Sequence, residues 1–116
     1  MSVRPPQQAR NLDKDPLSAA LEQEVLNEKA STLSRLTKKL EEALSRLQEA
    51  GVDETVSEEA RLDLAAEAGE ALWHVTIQRE LCGLREHRAF YDFLGVPLAI
   101  RLRMGPAAVL RQQKQR

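Results

Sequence analysis

Residues 26–47 read LNEKASTLSRLTKKLEEALSRL. Leu26, Leu33, Leu40 and Leu47 recur every seven positions, with Leu36 and Ala43 in the intervening places. That spacing gathers the apolar side chains on one stripe of an α-helix. A helix carrying such a stripe requires another helix beside it, because alone it would leave the stripe in water.

Upstream, Asp15 followed by Pro16 reads as an N-cap with proline at the first helical position, where the missing N–H is not needed. Leu17, Leu21 and Val25 carry the helical periodicity down to Leu26, and Ala50–Gly51 reads as the end. The first helix is therefore predicted over about 16–50. Residues 1–14, MSVRPPQQARNLDK, offer no periodic apolar positions to offset their ordering entropy and read as a disordered arm.

Downstream, a turn over 51–56 leads to Ser57, a second N-cap, with Glu58 and Glu59 placed favourably against the helix dipole. Leu62, Ala65, Leu72, Ile77, Leu81, Leu84, Tyr91 and Leu94 keep helical spacing as far as Gly95, so a second helix is predicted over 57–94. Gly69 and Gly83 each weaken it by about 1 kcal/mol relative to alanine, which marks them as places of close helix approach. Two helices of similar length joined by a short turn pack antiparallel. Charge agrees: acidic Glu58, Glu59, Asp63, Glu67 and Glu70 come beside basic Arg35, Lys38, Lys39 and Arg46, and Arg79, Arg85 and Arg88 beside Glu22, Glu24 and Glu28.

Pro97 begins a segment, 98–104, whose alternation suits a strand and whose flanking Pro97 and Gly105–Pro106 suit a short helix. The helix, over about 97–103, is favoured, since a lone strand would find only a symmetry mate. Residues 106–116 read as a flexible basic tail. The expected architecture is all-α: two long antiparallel helices plus a short C-terminal helix in a single domain over 15–105. Both stripes are wider than a two-helix seam, so a homodimeric four-helix bundle is expected, with a three-helix monomer closed by the C-terminal segment as the alternative.

Composition limits the function. The chain has 116 residues, 30% charged, a net charge of −1 and only four aromatics, Trp73, Phe90, Tyr91 and Phe93. A chain this balanced generates no global field to attract nucleic acid or an anionic membrane. No window approaches the ~20 apolar residues of a membrane span, and 1–8 has no apolar signal region. One cysteine, Cys82, fits a reducing compartment, so a bacterial cytoplasm is expected.

The densest chemistry-bearing cluster is Glu70, Trp73, His74, Arg79, Glu80, Cys82, His87 and Tyr91. His74 and His87, thirteen positions apart on one helix, would be ~20 Å apart and cannot share a metal within a chain. Glu67, Glu70 and His74 share a face, yet the paired Glu-x-x-His signature of di-iron bundles is absent. Arg79 and Arg85 flank Cys82 and would favour its thiolate, against the plainer role of a small apolar core residue. The aromatics suit a ligand pocket or the packing of a bundle end. Arg101, Arg103, Arg111, Lys114 and Arg116 form a basic run without acidic neighbours, suited to nucleic acid or to a solvated tail. There is no phosphate loop, zinc knuckle or nucleophile elbow, and no cofactor or metal is called for.

Leu26-Asn-Glu-Lys-Ala30, Glu70-Ala-Leu-Trp-His74, Gln78-Arg-Glu-Leu-Cys-Gly-Leu-Arg85 and the run from Val96–Pro97 to Arg103-Met-Gly105 resemble a small family of uncharacterised bacterial helical proteins. The resemblance covers residues 16–105. It implies a bacterial cytoplasmic origin and no assigned activity, cofactor or catalytic residue.

Function is therefore read from what the chain can build. The expectation is a non-enzymatic homodimer that acts through protein–protein contacts, with a partner the sequence does not identify. The rivals are a small-molecule or metal binder or enzyme around Trp73, His74 and Cys82, and a nucleic-acid accessory protein using the basic tail.

Overall fold

The computed structural model describes residues 15–114, the side chains of 113 and 114 excepted. The expected N-terminal arm, 1–14, and Arg116 lie outside the described residues. Five helices follow one another: α1 Pro16–Val52, α2 Glu58–Leu81, α3 Arg88–Leu94, α4 Leu98–Arg101 and α5 Ala107–Lys114. No strand occurs among the described residues, so the segment after Pro97 is helical.

Both long helices start where their caps place them. Asp15 Oδ1 accepts the Ser18 N–H at 2.7 Å and Ser57 Oγ accepts the Ala60 N–H at 3.1 Å, each satisfying an amide that the helix itself leaves bare. The turn between them is held by Arg61, whose guanidinium donates to the carbonyls of Ala50 at 3.0 Å and Asp53 at 2.8 Å. A side chain of α2 thus occupies the acceptors at the C-terminal end of α1.

α1 and α2 pack antiparallel. Leu40 and Ala43 of α1 meet Ala68, Leu72 and Val75 of α2, with Leu33, Leu36 and Leu47 half-buried around them. Leu40, Leu72 and Val75 are wholly excluded from solvent. The heptad positions are therefore unequal: Leu40 is the centre of the core, while Leu26 lies outside it, more than half exposed.

The second helix departs from its predicted length. It stops at Leu81 and does not run to Leu94. Gly83 takes φ +87°, a left-handed conformation that only glycine adopts without strain, and residues 84–87 are irregular. The chain then reverses, so that Tyr91 on α3 reaches back to Thr76, their hydroxyls 2.6 Å apart, with Met104 Sδ 3.7–3.8 Å from both. Gly95, at φ +69°, ends α3 as its sequence position suggested.

The tail departs too. Residues 107–114 form α5 on α2, with Leu110 buried against Gly69. A Cβ on Gly69 would stand 2.7 Å from the Arg103 carbonyl oxygen and 2.8 Å from Leu110 Cδ1, so Gly69 does mark a close approach. α4 and α5 complete the α2 side of the core.

They do not cover the start of α1. Gln78 Nε2 donates to the Lys29 carbonyl at 3.1 Å, which places the C-terminal end of α2 level with Lys29. Residues 16–28, ~20 Å of helix, project beyond it and are exposed throughout. The molecule is a rod of 75 × 25 × 24 Å.

Candidate functional site

An antiparallel helix pair has two grooves, and α3 and α4 lie over one of them, leaving a recess of about 770 Å³ between Glu41, Leu44 and Gln48 of α1 and Phe93, Leu94 and Pro97. Tyr91, Val96 and Ile100 occupy the side on which α3 and α4 lie. The opposite groove is open, with a volume of about 730 Å³, and is edged by α5. Leu36, Lys39, Glu42, Ala43 and Arg46 of α1 form one wall, Glu67, Glu70, Ala71 and His74 of α2 the other, and Ala107, Ala108 and Arg111 the rim. Its apolar lining is Leu36 and four alanines.

The charges in the groove largely satisfy one another. Arg46 stands 3.9 Å from Glu67, and Arg111 pairs with Asp63 at 3.0 Å and Glu67 at 4.0 Å. Glu70 Oε2 accepts the Ala107 N–H, and so caps the start of α5. Lys39 has no acidic partner within 4.0 Å among the described residues.

The sequence-identified cluster of eight divides among three places. Glu70 and His74 line the open groove, with the Trp73 ring 5.3 Å from the imidazole of His74. Arg79, Glu80, His87 and Tyr91 meet instead at the helix break. There the Arg79 Nε–H donates to His87 Nδ1 at 3.1 Å, and Arg79 Nη2 donates to the Glu86 carbonyl at 2.8 Å. An imidazole that accepts at Nδ1 carries its proton on Nε2, which lies 3.2 Å from Glu80 Oε1. The Phe90 ring lies under the Arg79 guanidinium at 4.2 Å, and the Tyr91 ring stacks on His87 at 5.9 Å. Every polar atom of Arg79 named here is turned on the chain's own backbone or side chains, so this cluster fastens the reversal rather than presenting groups to a ligand. Arg79 therefore does not lie against Glu22, Glu24 or Glu28.

Cys82 is half-buried with Sγ 3.7 Å from the Lys29 carbonyl, away from His87. Among the described residues no three His, Cys, Asp or Glu side chains converge as a metal site. Of the C-terminal basics, Arg101 pairs with Asp92 at 2.8 Å and donates to the Val96 carbonyl, Arg103 donates to the Leu110 carbonyl, and Arg111 faces Asp63. The acidic partners that the tail lacks in sequence are thus supplied across the fold. The side chain of Lys114 and all of Arg116 lie outside the described residues.

Two carboxylates have environments that favour their charged forms. Asp15 is held below the usual carboxylate range by the backbone N–H and then the hydroxyl of Ser18, and Asp53 by the hydroxyl and then the N–H of Thr55. Both are turn and cap groups at the ends of α1.

What sequence reasoning did not single out is the exposed apolar row on the projecting part of α1. Leu17, Leu21 and Val25 are 69%, 52% and 53% exposed, spaced four apart and so aligned along one side. With about 3.6 residues per turn, positions eighteen apart coincide around the axis, so Leu21 lies in line with Lys39 and Val25 with Ala43. The row therefore continues the α1 wall of the open groove. On α2 a step of seven, about two turns, carries Glu70 to Ile77 and His74 to Leu81, both exposed. One side of the rod thus holds an apolar projection, two exposed α2 side chains and a groove lined by alanines and charged side chains. Periodicity alone contained this signal; it became readable once the end of α2 was located.

A family model described as "Family of unknown function (DUF6665)" matches residues 6–112, and the chain belongs to that family. Neither a curated protein nor a solved structure matches it.

Proposed function

We propose that this member of DUF6665 is a non-enzymatic homodimer, a two-fold four-helix assembly that acts through protein–protein contacts. The observation that carries the reading is the uncovered row Leu17, Leu21 and Val25 on a helix that runs ~20 Å past its partner. Exposed leucines scattered singly are ordinary, whereas an aligned row on a projecting helix is the form of an interaction surface. The open groove supports it: at about 730 Å³ it has the size of a ligand site, yet its charges are mostly paired with each other and its apolar lining is one leucine and four alanines. No helix among the described residues is long and apolar enough to cross a membrane. The reading places the dimer in a reducing compartment, a bacterial cytoplasm, on the strength of the single cysteine.

Light scattering coupled to size-exclusion chromatography tests it on the reduced full chain. The expected mass is twice the 13.0 kDa of one chain. Leu21→Glu with Val25→Glu returns it to one chain mass with unchanged helical content by circular dichroism. A wild-type chain of monomer mass at every concentration up to ~1 mM refutes the proposal.

A further inference from the structure

We propose that the projecting end of α1 seats in the open groove of a second copy of this chain, the two α1 helices crossing a two-fold axis antiparallel near residues 30–31. This rests on the homodimer reading and adds to it which surface receives the row. The first argument is position. The row and the α1 wall of the groove lie on the same side of one helix, so a two-fold axis between them brings each row to the other copy's groove. A row centred at Leu21 reaches a wall running from Leu36 to Arg46 when the axis falls midway, near residue 30 or 31. At that level stand Ile77 and Leu81, which the crossing α1 helix would cover.

The second argument is charge. The projection 16–28 contains Glu22, Glu24 and Glu28 and no cation, while Lys29, Arg35, Lys38 and Lys39 follow within the next eleven residues, which hold no acid. Glu24 stands three residues from Leu21 and seven from Leu17, and Glu28 three from Val25 and seven from Leu21, so both border the row. Antiparallel pairing about residues 30–31 sets Glu24 and Glu28 of each copy against Arg35 to Lys39 of the other. Parallel pairing would set glutamate against glutamate and lysine against lysine. Within one chain Arg35 meets the exposed Glu28 at 3.7 Å and the hydroxyls of Ser31 at 3.4 Å and Thr32 at 3.1 Å, all on its own helix.

The test uses two charge-reversed full chains. One carries Glu24→Lys and Glu28→Lys, the other Arg35→Glu and Lys39→Glu, with dissociation followed by sedimentation at low salt. Each alone is expected to weaken the homodimer roughly tenfold or more, since four cross-chain contacts turn repulsive, and an equimolar mixture is expected to restore wild-type affinity as a heterodimer. Failure of the mixture to recover, or weakening by only one of the pair, overturns the antiparallel groove contact. The Leu21→Glu, Val25→Glu variant separates the two readings: if it dissociates a wild-type dimer that both charge-reversed chains leave intact, the homodimer stands and this register falls. A second measurement needs no stability change. With Cys82→Ser and a single nitroxide label, spin–spin distances between copies should be short for Ser31→Cys and near ~40 Å for Leu17→Cys, the rise of about 1.5 Å per residue counted from the axis in both copies. Short distances at both positions would mean parallel pairing and refute the proposal.

Discussion

Replacing Gly69 with alanine sets two effects of opposite sign against each other. An alanine in the interior of a helix is worth about 1 kcal/mol over glycine. Against this, the new Cβ would stand 2.7 Å from the Arg103 carbonyl oxygen and 2.8 Å from Leu110 Cδ1. The leucine methyl can turn aside, but the carbonyl is backbone, and moving it shifts the link from α4 to α5. Overfilling a packed contact costs about 1–3 kcal/mol, and uncovering Leu110, now 6% exposed, approaches the ~2–3 kcal/mol of a buried leucine. The steric side wins, leaving a net destabilisation of about 1–2 kcal/mol, or roughly 5–15 °C in Tm for a chain of this size. Urea unfolding followed by circular dichroism at fixed protein concentration measures the net effect, and amide exchange over residues 107–112 shows whether α5 has loosened. Gly51→Ala is the control: it lies in α1 with nothing within 4 Å of the added Cβ, so it should be neutral or stabilising by up to about 1 kcal/mol. A Gly69→Ala protein as stable as the Gly51→Ala one, with unchanged exchange over α5, would refute the account of α2–α5 packing.

Tyr91→Phe should cost about 1 kcal/mol in urea unfolding, because the Thr76 hydroxyl at 2.6 Å then keeps only the thioether of Met104; a neutral result would remove that bond from the forces holding the chain reversal. Lowering the pH should loosen both ends of α1. Asp15 and Asp53 have folded-state pKa values below 3.8, so their caps contribute fully above the unfolded value and are lost as pH falls through the folded one. The Ser18 and Thr55 amide resonances, followed by NMR from pH 5 to pH 2, should therefore shift in step with carboxylate protonation, and Asp15→Asn should flatten the Ser18 curve.

The two long helices and the short one after Pro97 were legible because their signals are local: Asp15 and Ser57 as caps, the leucine repeat, and Gly95 as a left-handed stop. The break after Leu81 was not, since Leu81, Leu84, Tyr91 and Leu94 keep helical spacing straight through it. What overrides the pattern is tertiary: Gly83 takes the left-handed turn, and Arg79 with Glu80 grips His87 as the chain reverses. α5 was hidden by its polar composition, because its anchor is a single leucine whose receptor, Gly69, lies forty-one residues earlier. Glu70 and His74 were identified by residue type, but their neighbours in the groove come from α1 and α5, and no spacing within α2 announces those.

An uninterrupted helix from Glu58 to Leu94 would match the 37 residues of α1 and lie beside it to the first turn. Such a hairpin would be self-sufficient, its leucine rows closed by its own return strand of helix. The six non-helical residues from Cys82 to His87 instead end that helix after its first two thirds and fold the remainder over the far groove, which makes the molecule shorter on one side than on the other. Mismatch of length, rather than any special chemistry, is what leaves Leu17, Leu21 and Val25 without cover from α2. A variant in which Cys82–His87 is rebuilt as good helix would therefore trade an asymmetric rod for a closed one.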